Sequence, residues 1–375
     1  MQLSPVLAGL AQYPFARLDD WKVEAASRGL DLIDFGMGDP REVTPPFIRE
    51  ALLASVDEVS SYPRATGLPE LRTAIAGWID RRFGVEVDAD RELIPTLGSK
   101  EAIFSFAQIA LGDKRLIAIP EPAYPVYERG ALFSGGQVAT VPLREADGWL
   151  PDLDRFDAWD EIAIFWVCYP NNPTGAVAPL SFYEELAARA REHGFLVCSD
   201  EAYSELWFDE PPVSALQVPD RTNVVVFNTL SKRSSMTGYR SGFVCAPPEI
   251  VSALKSFRPT VGTAPQEFVQ RASIAAWSDD DHVSEVRGLY RRKRETVLPA
   301  LEAAGLRLAG SEATFYLWLA VDGPSEPFAR RLLDHGIVVA PGSFFGPAGE
   351  GYIRLALVPT QAECERAAAI FREVL

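Results

Sequence analysis

A lysine that follows an apolar run is the residue of this sequence best placed to act as a nucleophile. Residues 224–227 are Val-Val-Val-Phe, a run that predicts a buried strand, and Ser231 and Lys232 come where that strand should end. Burial lowers the pKa of a lysine, so more of its amine is neutral and can form a Schiff base with a carbonyl compound. Arg240 follows eight residues later. By itself the stretch is equally typical of a solvated loop, so its interpretation depends on the rest of the chain.

Two further polar motifs follow apolar runs in the same way. The runs lead to Asn-Asn-Pro-Thr-Gly at 171–175 and to Asp-Glu-Ala-Tyr at 200–203. Asn172 and Asp200 are 28 residues apart, and Asp200 and Lys232 are 32 apart, so each interval suits one strand–helix–strand unit of about 30 residues. Ligands of open α/β sheets lie at the carboxyl ends of the strands. We therefore expect these side chains to meet at one site: Asn172, Asp200, Tyr203, Ser231 and Lys232.

Three earlier loops also carry groups that suit a ligand. Gly-Ser-Lys at 98–100 precedes a predicted helix, and the free N–H groups of a helix N-terminus form an anion site. The loop after the predicted strand 116–119 carries Tyr124 and Tyr127, either of which can present its ring face to a flat ligand. Gly-Met-Gly at 36–38 predicts a tight turn whose backbone approaches a ligand closely. Each loop alone is also compatible with ordinary packing.

Composition restricts the class of protein. The chain has 375 residues, which is long for one hydrophobic core and predicts two domains in contact. Lys and Arg number 36 against 52 Asp and Glu, a balance of −16 that argues against nucleic acid or an anionic membrane as partner. Apolar runs stay well below the ~20 residues of a membrane helix, and no charged–apolar–small pattern precedes the body of the chain, so we expect neither a membrane span nor secretion. Four scattered cysteines and three scattered histidines predict reduced thiols and no metal site. We expect a cytoplasmic protein.

From about residue 273 the pattern changes to that of a second, α+β domain. A charged helix is predicted over 282–303. Strands are predicted over 313–318, 337–340 and 352–357. Arg354 lies in the last of these strands, where apolar and polar residues alternate.

Helix boundaries are indicated by capping residues. Ser181 and Glu184 have the spacing of a capping box, and Gly194 suits the end of the same helix. Gly84 suits the end of the helix that begins near Leu68. Thr360 is predicted to cap the final helix.

In this order and spacing, the motifs NNPTG, DEAY and SK-x7-R resemble the class I/II aminotransferases of the pyridoxal-phosphate fold type I, over essentially the whole chain. GSK precedes them and Arg354 follows them. The resemblance implies an α/β fold, with a large cofactor-binding domain at 43–272 that holds a mostly parallel sheet. A smaller α+β domain would occupy 273–375, and residues 1–42 would form an N-terminal arm and part of the small domain.

The resemblance also implies roles around the ring of pyridoxal 5'-phosphate. Lys232 would form the Schiff base with the cofactor aldehyde and then act as general base and acid. Asp200 would pair with the pyridine nitrogen and keep it protonated. Asn172 and Tyr203 would hydrogen-bond the phenolic oxygen, and Tyr124 would stack on the ring.

Further residues would hold the phosphate and the substrate. The phosphate would take Ser99, Lys100, Ser231 and Arg240, and Tyr62 from a neighbouring subunit. That implies a homodimer with shared sites. The substrate's α-carboxylate would take Arg354, helped by the backbone of Gly38 and by Asn172.

Within the family, several stretches are similar to the succinyldiaminopimelate aminotransferases, among them TLSKRSS, GYRSGF, GSKEAIFSFAQ, DEAYSELWFDE, FYLW and APGSFFG. This similarity implies transfer of an amino group from glutamate to N-succinyl-2-amino-6-oxopimelate in lysine biosynthesis. A substrate with several carboxylates needs further cations, for which the candidates are Lys100, Arg64, Arg233 and Arg258.

Other readings of the same residues stay open. A general alanine or aspartate aminotransferase differs only in its side-chain pocket. A β-C–S lyase would use the same lysine for elimination. A cofactor-sensing regulator would need an attached DNA-binding domain, for which we expect no room before Gly36.

Overall fold

The structure is a computed structural model that describes residues 4–375, with both helices and strands along the chain. The helices are α1 (Pro5–Gly9), α2 (Pro14–Ser27), α3 (Pro46–Leu53), α4 (Pro69–Phe83), α5 (Gly98–Ala110), α6 (Val126–Phe133), α7 (Leu180–His193), α8 (Leu230–Arg233), α9 (Pro248–Val261), α10 (Glu267–Trp277), α11 (Asp281–Ala303), α12 (Ser325–Leu333) and α13 (Gln361–Val374). The strands are β1 (Ile33–Asp34), β2 (Leu93–Thr96), β3 (Leu116–Glu121), β4 (Gln137–Pro142), β5 (Ile162–Cys168), β6 (Leu196–Asp200), β7 (Val224–Thr229), β8 (Gly242–Cys245), β9 (Arg307–Gly310), β10 (Tyr316–Ala320), β11 (Ile337–Val338), β12 (Ala340–Pro341) and β13 (Tyr352–Ala356).

The main sheet of the described chain has the strand order β2-β8-β7-β6-β5-β3-β4. Strands β4, β3, β5, β6 and β7 run parallel, whereas β8 is antiparallel to both of its neighbours. Every residue of β5 and β7 is buried, as expected for strands covered on both faces. Alternate residues of β7 therefore enter different core clusters, Val224 and Val226 one, Val225 and Phe227 the other. The α/β fold with a mostly parallel sheet is confirmed.

A smaller sheet carries Arg354. Its order is β12-β13-β10-β9, and its pairs are antiparallel. Strand β1 pairs in parallel with β11, with Ile33 opposite Ile337, so the N-terminal segment joins the C-terminal part of the chain. This pairing agrees with the predicted division at 42 and 272, whose boundaries remain a prediction.

One of the predicted caps is wrong. Helix α7 begins at Leu180 after Pro179, and its side chains provide no cap, so Ser181 lies exposed in the first turn and forms no capping box with Glu184. Proline at this boundary lacks the N–H and has its φ already set, and the N-cap falls at Pro179, two residues earlier than the motif suggests. Thr360 does form a capping box, with Glu363.

Candidate active site

The three motifs meet at a cavity of about 280 Å³ beyond the carboxyl ends of β5, β6 and β7. The predicted site residues that line it are Gly38, Ser99, Lys100, Tyr124, Asn172, Asp200, Tyr203, Ser231, Lys232, Arg240 and Arg354. Tyr62 lies outside this cavity with its side chain fully exposed. The cavity therefore gathers residues from both ends of the chain, as the strand–helix–strand spacing predicts for its central motifs.

Lys232 is held at the end of β7 by a short helix. The side chain of Thr229 accepts a hydrogen bond from the backbone N–H of Ser231 and so begins α8, which places Lys232 in the cavity. Its Nζ donates to the carbonyl oxygen of Gly38 at 2.6 Å. Burial lowers the pKa of Lys232 to about 8, although the charge of Asp39 raises it. A substantial fraction of the amine is therefore neutral near physiological pH.

Asp200 ends β6 on the cavity wall. Its Oδ2 accepts a hydrogen bond from the Tyr127 hydroxyl at 2.7 Å, and its Oδ1 accepts one from the N–H of Ala202 at 3.3 Å. Burial raises the pKa of this carboxyl to about 6, against the effect of both hydrogen bonds. A protonated ring nitrogen beside it would favour the ionised carboxylate.

Tyr124 and Tyr127 have different places. Tyr124 lines the cavity. Tyr127 does not present a ring face to it, because the ring is buried and stacked on Trp166, with centroids 5.0 Å apart and planes at 17°. The prediction that Tyr127 can present its ring face to a ligand is therefore wrong. Its hydroxyl instead donates a hydrogen bond to Asp200.

An anion-binding corner lies at the N-terminus of α5. Ser99 and Lys100 belong to the first turn of this helix, and Ser231 and Arg240 line the same cavity. Burial lowers the pKa of Lys100, and the nearby charge of Arg240 lowers it further. Two cations beside free N–H groups suit a dianion such as a phosphate monoester.

Arg354 is a buried cation with remaining hydrogen-bonding capacity. Its Nη1 donates to Oδ1 of Asn172 at 2.8 Å, and its Nη2 donates to the carbonyl oxygen of Gly36 at 2.7 Å. Within residues 4–375 its Nε has no hydrogen-bond partner, and the side chain is 2% exposed. A guanidinium has five N–H groups, so several stay free to bind a carboxylate.

Comparison with known proteins identifies the family. Residues 31–371 match the family model described as aminotransferase class I and II. The chain belongs to this family. It is 42% identical to the LL-diaminopimelate aminotransferase of Nitratidesulfovibrio vulgaris, an alignment that covers 98% of this chain and 97% of the relative.

Solved structures agree with this assignment. An aminotransferase from Neisseria meningitidis superposes with a TM-score of 0.92 at 39% identity, covering 99% of each chain. A Thermus thermophilus protein described as a probable N-succinyldiaminopimelate aminotransferase gives a TM-score of 0.89 at 32% identity, covering 96% of this chain and 100% of that one.

The cofactor of this aminotransferase family is pyridoxal 5'-phosphate, and the residues present suit it. A buried carboxylate, a buried amine and an anion-binding corner line one cavity, which matches the ring nitrogen, the aldehyde and the phosphate. When bound, the cofactor supplies an electron sink that makes the Cα–H bond of an amino acid acidic.

Some cavity residues of this aminotransferase were missed in the sequence, and two proposed cations are wrong. The missed residues include Tyr13, Phe15, Thr237 and Tyr316. Arg233 lies away from the cavity, packed against Trp277 and donating to the carbonyl oxygen of Ala276, because its side chain points to the opposite side from Lys232. Arg258 donates with Nη1 to both carboxylate oxygens of Glu101, so its charge is already paired.

Two further observations concern residues 4–375 only. In the described residues no helix has both the length and the apolar character that crossing a membrane requires. The same residues contain no group of three or more His, Cys, Asp and Glu side chains placed to hold a metal ion.

Proposed function

We propose that this aminotransferase moves an amino group between glutamate and N-succinyl-2-amino-6-oxopimelate, the long tricarboxylic acceptor that its sequence resemblance implies. The proposed reaction type, transamination, is supported by the convergence of Lys232, Asp200 and Arg354 in one cavity. The substrate class is supported by similarity to diaminopimelate aminotransferases.

Different residues of the site have different roles in the proposed reaction. Arg354 and Asn172 hold the α-carboxylate and so fix the orientation of the Cα–H bond. Lys232, whose amine is partly neutral, takes the proton from that carbon and returns it. Asp200 stabilises positive charge at the ring nitrogen, and burial of the cavity keeps these interactions strong.

The space around the site favours a long substrate over alanine or aspartate. A second cavity of about 830 Å³ shares Tyr13, Lys100 and Arg240 with the first. It also contains Arg129, whose guanidinium lies 5.1 Å from the centroid of the Tyr13 ring. This arginine offers a cation for a distal carboxylate.

A second candidate substrate is LL-diaminopimelate itself, with 2-oxoglutarate as acceptor. The 42%-identical relative bears the name LL-diaminopimelate aminotransferase. The two candidates differ at the distal nitrogen, which is a free ammonium in one and a neutral amide in the other.

We also propose that the chain acts as a homodimer with shared sites. The 830 Å³ cavity is lined by large apolar side chains, and among them Phe133 and Val261 are 40% and 47% exposed. A second copy that packs on these two side chains would cover the apolar part of this surface and leave its polar edge, at Lys100, Arg129 and Arg240, to the substrate. The fully exposed Tyr62 is then free to reach the phosphate in the neighbouring subunit.

The decisive experiment offers the purified holoenzyme a panel of amino acceptors with glutamate as donor. The panel contains N-succinyl-2-amino-6-oxopimelate, pyruvate and oxaloacetate, and LL-diaminopimelate is assayed with 2-oxoglutarate. Products are measured by amino-acid analysis. We expect kcat/KM for the succinylated acceptor to exceed that for oxaloacetate by about tenfold or more, because additional contacts to the distal part of a substrate give discrimination of this size.

Each other outcome has a defined meaning. A preference for unacylated LL-diaminopimelate selects the second candidate, and a preference for oxaloacetate or pyruvate rejects the long substrate. Cystathionine is assayed as a further substrate, because release of ammonia and pyruvate from it would indicate elimination. Lys232→Ala is the negative control, and it should show no transfer and no cofactor fixed to the protein by borohydride reduction.

A further inference from the structure

We propose that Tyr316 is a positioning residue of this site, which holds the Tyr203 hydroxyl through its own hydroxyl and the Arg354 guanidinium through its ring. This inference rests on the proposed function in assigning the cofactor and the α-carboxylate to these two partners. Tyr316 begins β10 in the smaller sheet, lines the 280 Å³ cavity and is 1% exposed.

The hydroxyl contact joins the smaller sheet that contains β10 to the turn that follows β6. The Oη atoms of Tyr316 and Tyr203 are 2.7 Å apart, and both side chains are buried. A hydroxyl donates one hydrogen, so if Tyr203 donates into the cavity, Tyr316 must donate to Tyr203. A hydroxyl that accepts a hydrogen bond becomes a better donor in a low-dielectric site. Tyr316 therefore strengthens the hydrogen bond that Tyr203 would give to the cofactor's phenolic oxygen.

The ring contact fixes the carboxylate-binding cation. The guanidinium of Arg354 lies 4.2 Å from the centroid of the Tyr316 ring, closer than to the rings of Phe345 at 4.7 Å or Phe15 at 5.4 Å. This cation–π contact is made in a desolvated place, where such contacts are strongest. It holds the guanidinium without using the N–H groups that a carboxylate needs.

The backbone around Tyr316 keeps it in this place. Its N–H donates to Oγ1 of Thr314 at 2.9 Å, and its carbonyl oxygen accepts from Oγ of Ser311 at 2.8 Å. Thr314 itself has a φ of 70°, a conformation that costs a β-branched residue free energy and is kept only where the surroundings require it.

The same hydroxyl explains a glycine of the site. A Cβ at Gly38 would lie 2.2 Å from Oη of Tyr316, so a side chain at position 38 would displace that hydroxyl. The carbonyl oxygen of Gly38 accepts the hydrogen bond from Lys232. Tyr316 thus contacts three residues that the motifs predict, Gly38, Tyr203 and Arg354, each in a different segment of the chain.

Tyr316→Phe tests the hydroxyl alone. The holoenzyme is titrated with pH while the visible absorbance of its bound cofactor is followed. Donation to the phenolic oxygen stabilises its anionic form and lowers the midpoint, so its weakening should raise the midpoint by up to about one pH unit, the size of a single hydrogen bond. Binding of maleate, a non-reacting dicarboxylate, should stay within about twofold of wild type, because the ring is kept.

Tyr316→Leu removes the ring as well. Its midpoint should rise as in the phenylalanine variant, and its dissociation constant for maleate should increase about 3- to 30-fold, the range of a cation–π contact. The KM for glutamate should rise together with the dissociation constant for maleate. The control is Tyr290→Phe, since the Tyr290 hydroxyl is buried and has no hydrogen-bond partner within residues 4–375.

A wild-type midpoint in Tyr316→Phe would overturn the hydroxyl role, and wild-type maleate binding in Tyr316→Leu would overturn the ring role. Thermal melting and cofactor content establish that each variant is folded. If the leucine variant does not fold, Tyr316→Met replaces it. Both readouts need only cofactor and a carboxylate, so a wild-type enzyme with a different oxo-acid preference would refute the proposed substrate and leave this test intact.

Discussion

Lys232 and Asp200 show how burial prepares single residues for opposite tasks. Burial lowers the pKa of the amine to about 8 and raises that of the carboxyl to about 6. At pH 7 about one-tenth of an amine with that pKa is neutral, against roughly one in three thousand for an ordinary lysine. The amine thus gains nucleophilicity, while Asp200, with a pKa of about 6, is mostly ionised at pH 7 and would be held more fully ionised by a cationic partner.

Capture of pyridoxal 5'-phosphate by the cofactor-free enzyme should follow the neutral fraction of Lys232. The neutral fraction rises with pH through the pKa, so the capture rate should increase up to about pH 8 and then level off, as measured by stopped-flow absorbance. In Asp39→Asn the pH at which the capture rate levels off should be lower, because the charge of Asp39 raises the pKa of Lys232. A rate that still climbs toward pH 10 in wild type would show that the amine is not buried in solution.

Arg354 is the residue at which substrate recognition can be separated from chemistry. Arg354→Ala should raise KM for glutamate and for its oxo-acid acceptor alike, because both carry the same α-carboxylate. Loss of a charged hydrogen-bonding partner costs about 1.5–3 kcal/mol, or roughly 10- to 150-fold in binding. Steady-state kinetics with each substrate varied in turn measures this, and an effect on one substrate alone would contradict a shared carboxylate site.

Among the secondary-structure elements, the N-terminus of α5 carries the anion-binding corner. Gly98 starts this helix with a φ of 72°, and a Cβ there would lie 2.7 Å from Nη2 of Arg240. Arg240 in turn donates to the carbonyl oxygens of Thr237 and Leu97, which holds its side chain beside the helix. The glycine therefore permits both the turn and the close approach of the arginine.

Gly98→Ala should weaken cofactor binding by about tenfold, the effect of displacing one charged hydrogen-bond partner of a phosphate. Equilibrium dialysis of pyridoxal 5'-phosphate measures the loss. Gly84→Ala is the matched control, because Gly84 has a φ of 66° at the end of α4 but its Cβ would meet open space. The control should lose about 1 kcal/mol of stability and no cofactor affinity. Equal cofactor loss in both variants would mean that only backbone strain was measured.

In the whole molecule, the site depends on contacts between distant parts of the chain. Arg354 donates to Asn172 and to the carbonyl oxygen of Gly36, which are 182 and 318 residues away along the chain. The proposed homodimer extends this dependence to a second copy, whose Tyr62 would complete the phosphate site.

Mixing two inactive variants tests the shared site. In the proposed dimer each site takes Lys232 from one subunit and Tyr62 from the other. In a hybrid of a Lys232→Ala subunit with a Tyr62→Ala subunit, one site therefore lacks both residues and the other has both. Activity should therefore rise above that of either parent toward one intact site per dimer. The mixture is exchanged under mild denaturant and its dimers are verified by native mass spectrometry. Hybrid dimers without any gain in activity would exclude Tyr62 from the neighbouring site, and a monomeric wild type would exclude the dimer.

The spacing wrongly suggests an α-helix between β6 and β7, where the structure has only a 3-10 turn at Ala215–Gln217. The sequence does predict strands β5, β6 and β7, helix α7 and the motif residues at the strand ends, including Asn172, Asp200 and Lys232. This was possible because buried strands have apolar runs and because ligand-binding residues of parallel sheets follow directly after them. The cap at Ser181 failed because Pro179, two residues earlier, occupies the N-cap position, a local competition that the motif does not reveal.

Which aromatic and charged residues face the cavity could be known only from the folded chain. Tyr316 lies in a predicted strand, Tyr127 lies in the same loop as Tyr124, and Arg233 directly follows the reactive lysine. Tyr316 lines the cavity, Tyr127 lies behind Asp200, and Arg233 points away. The physical reason is that the direction of a side chain is set by contacts with segments far away in the chain, which local residue types do not encode.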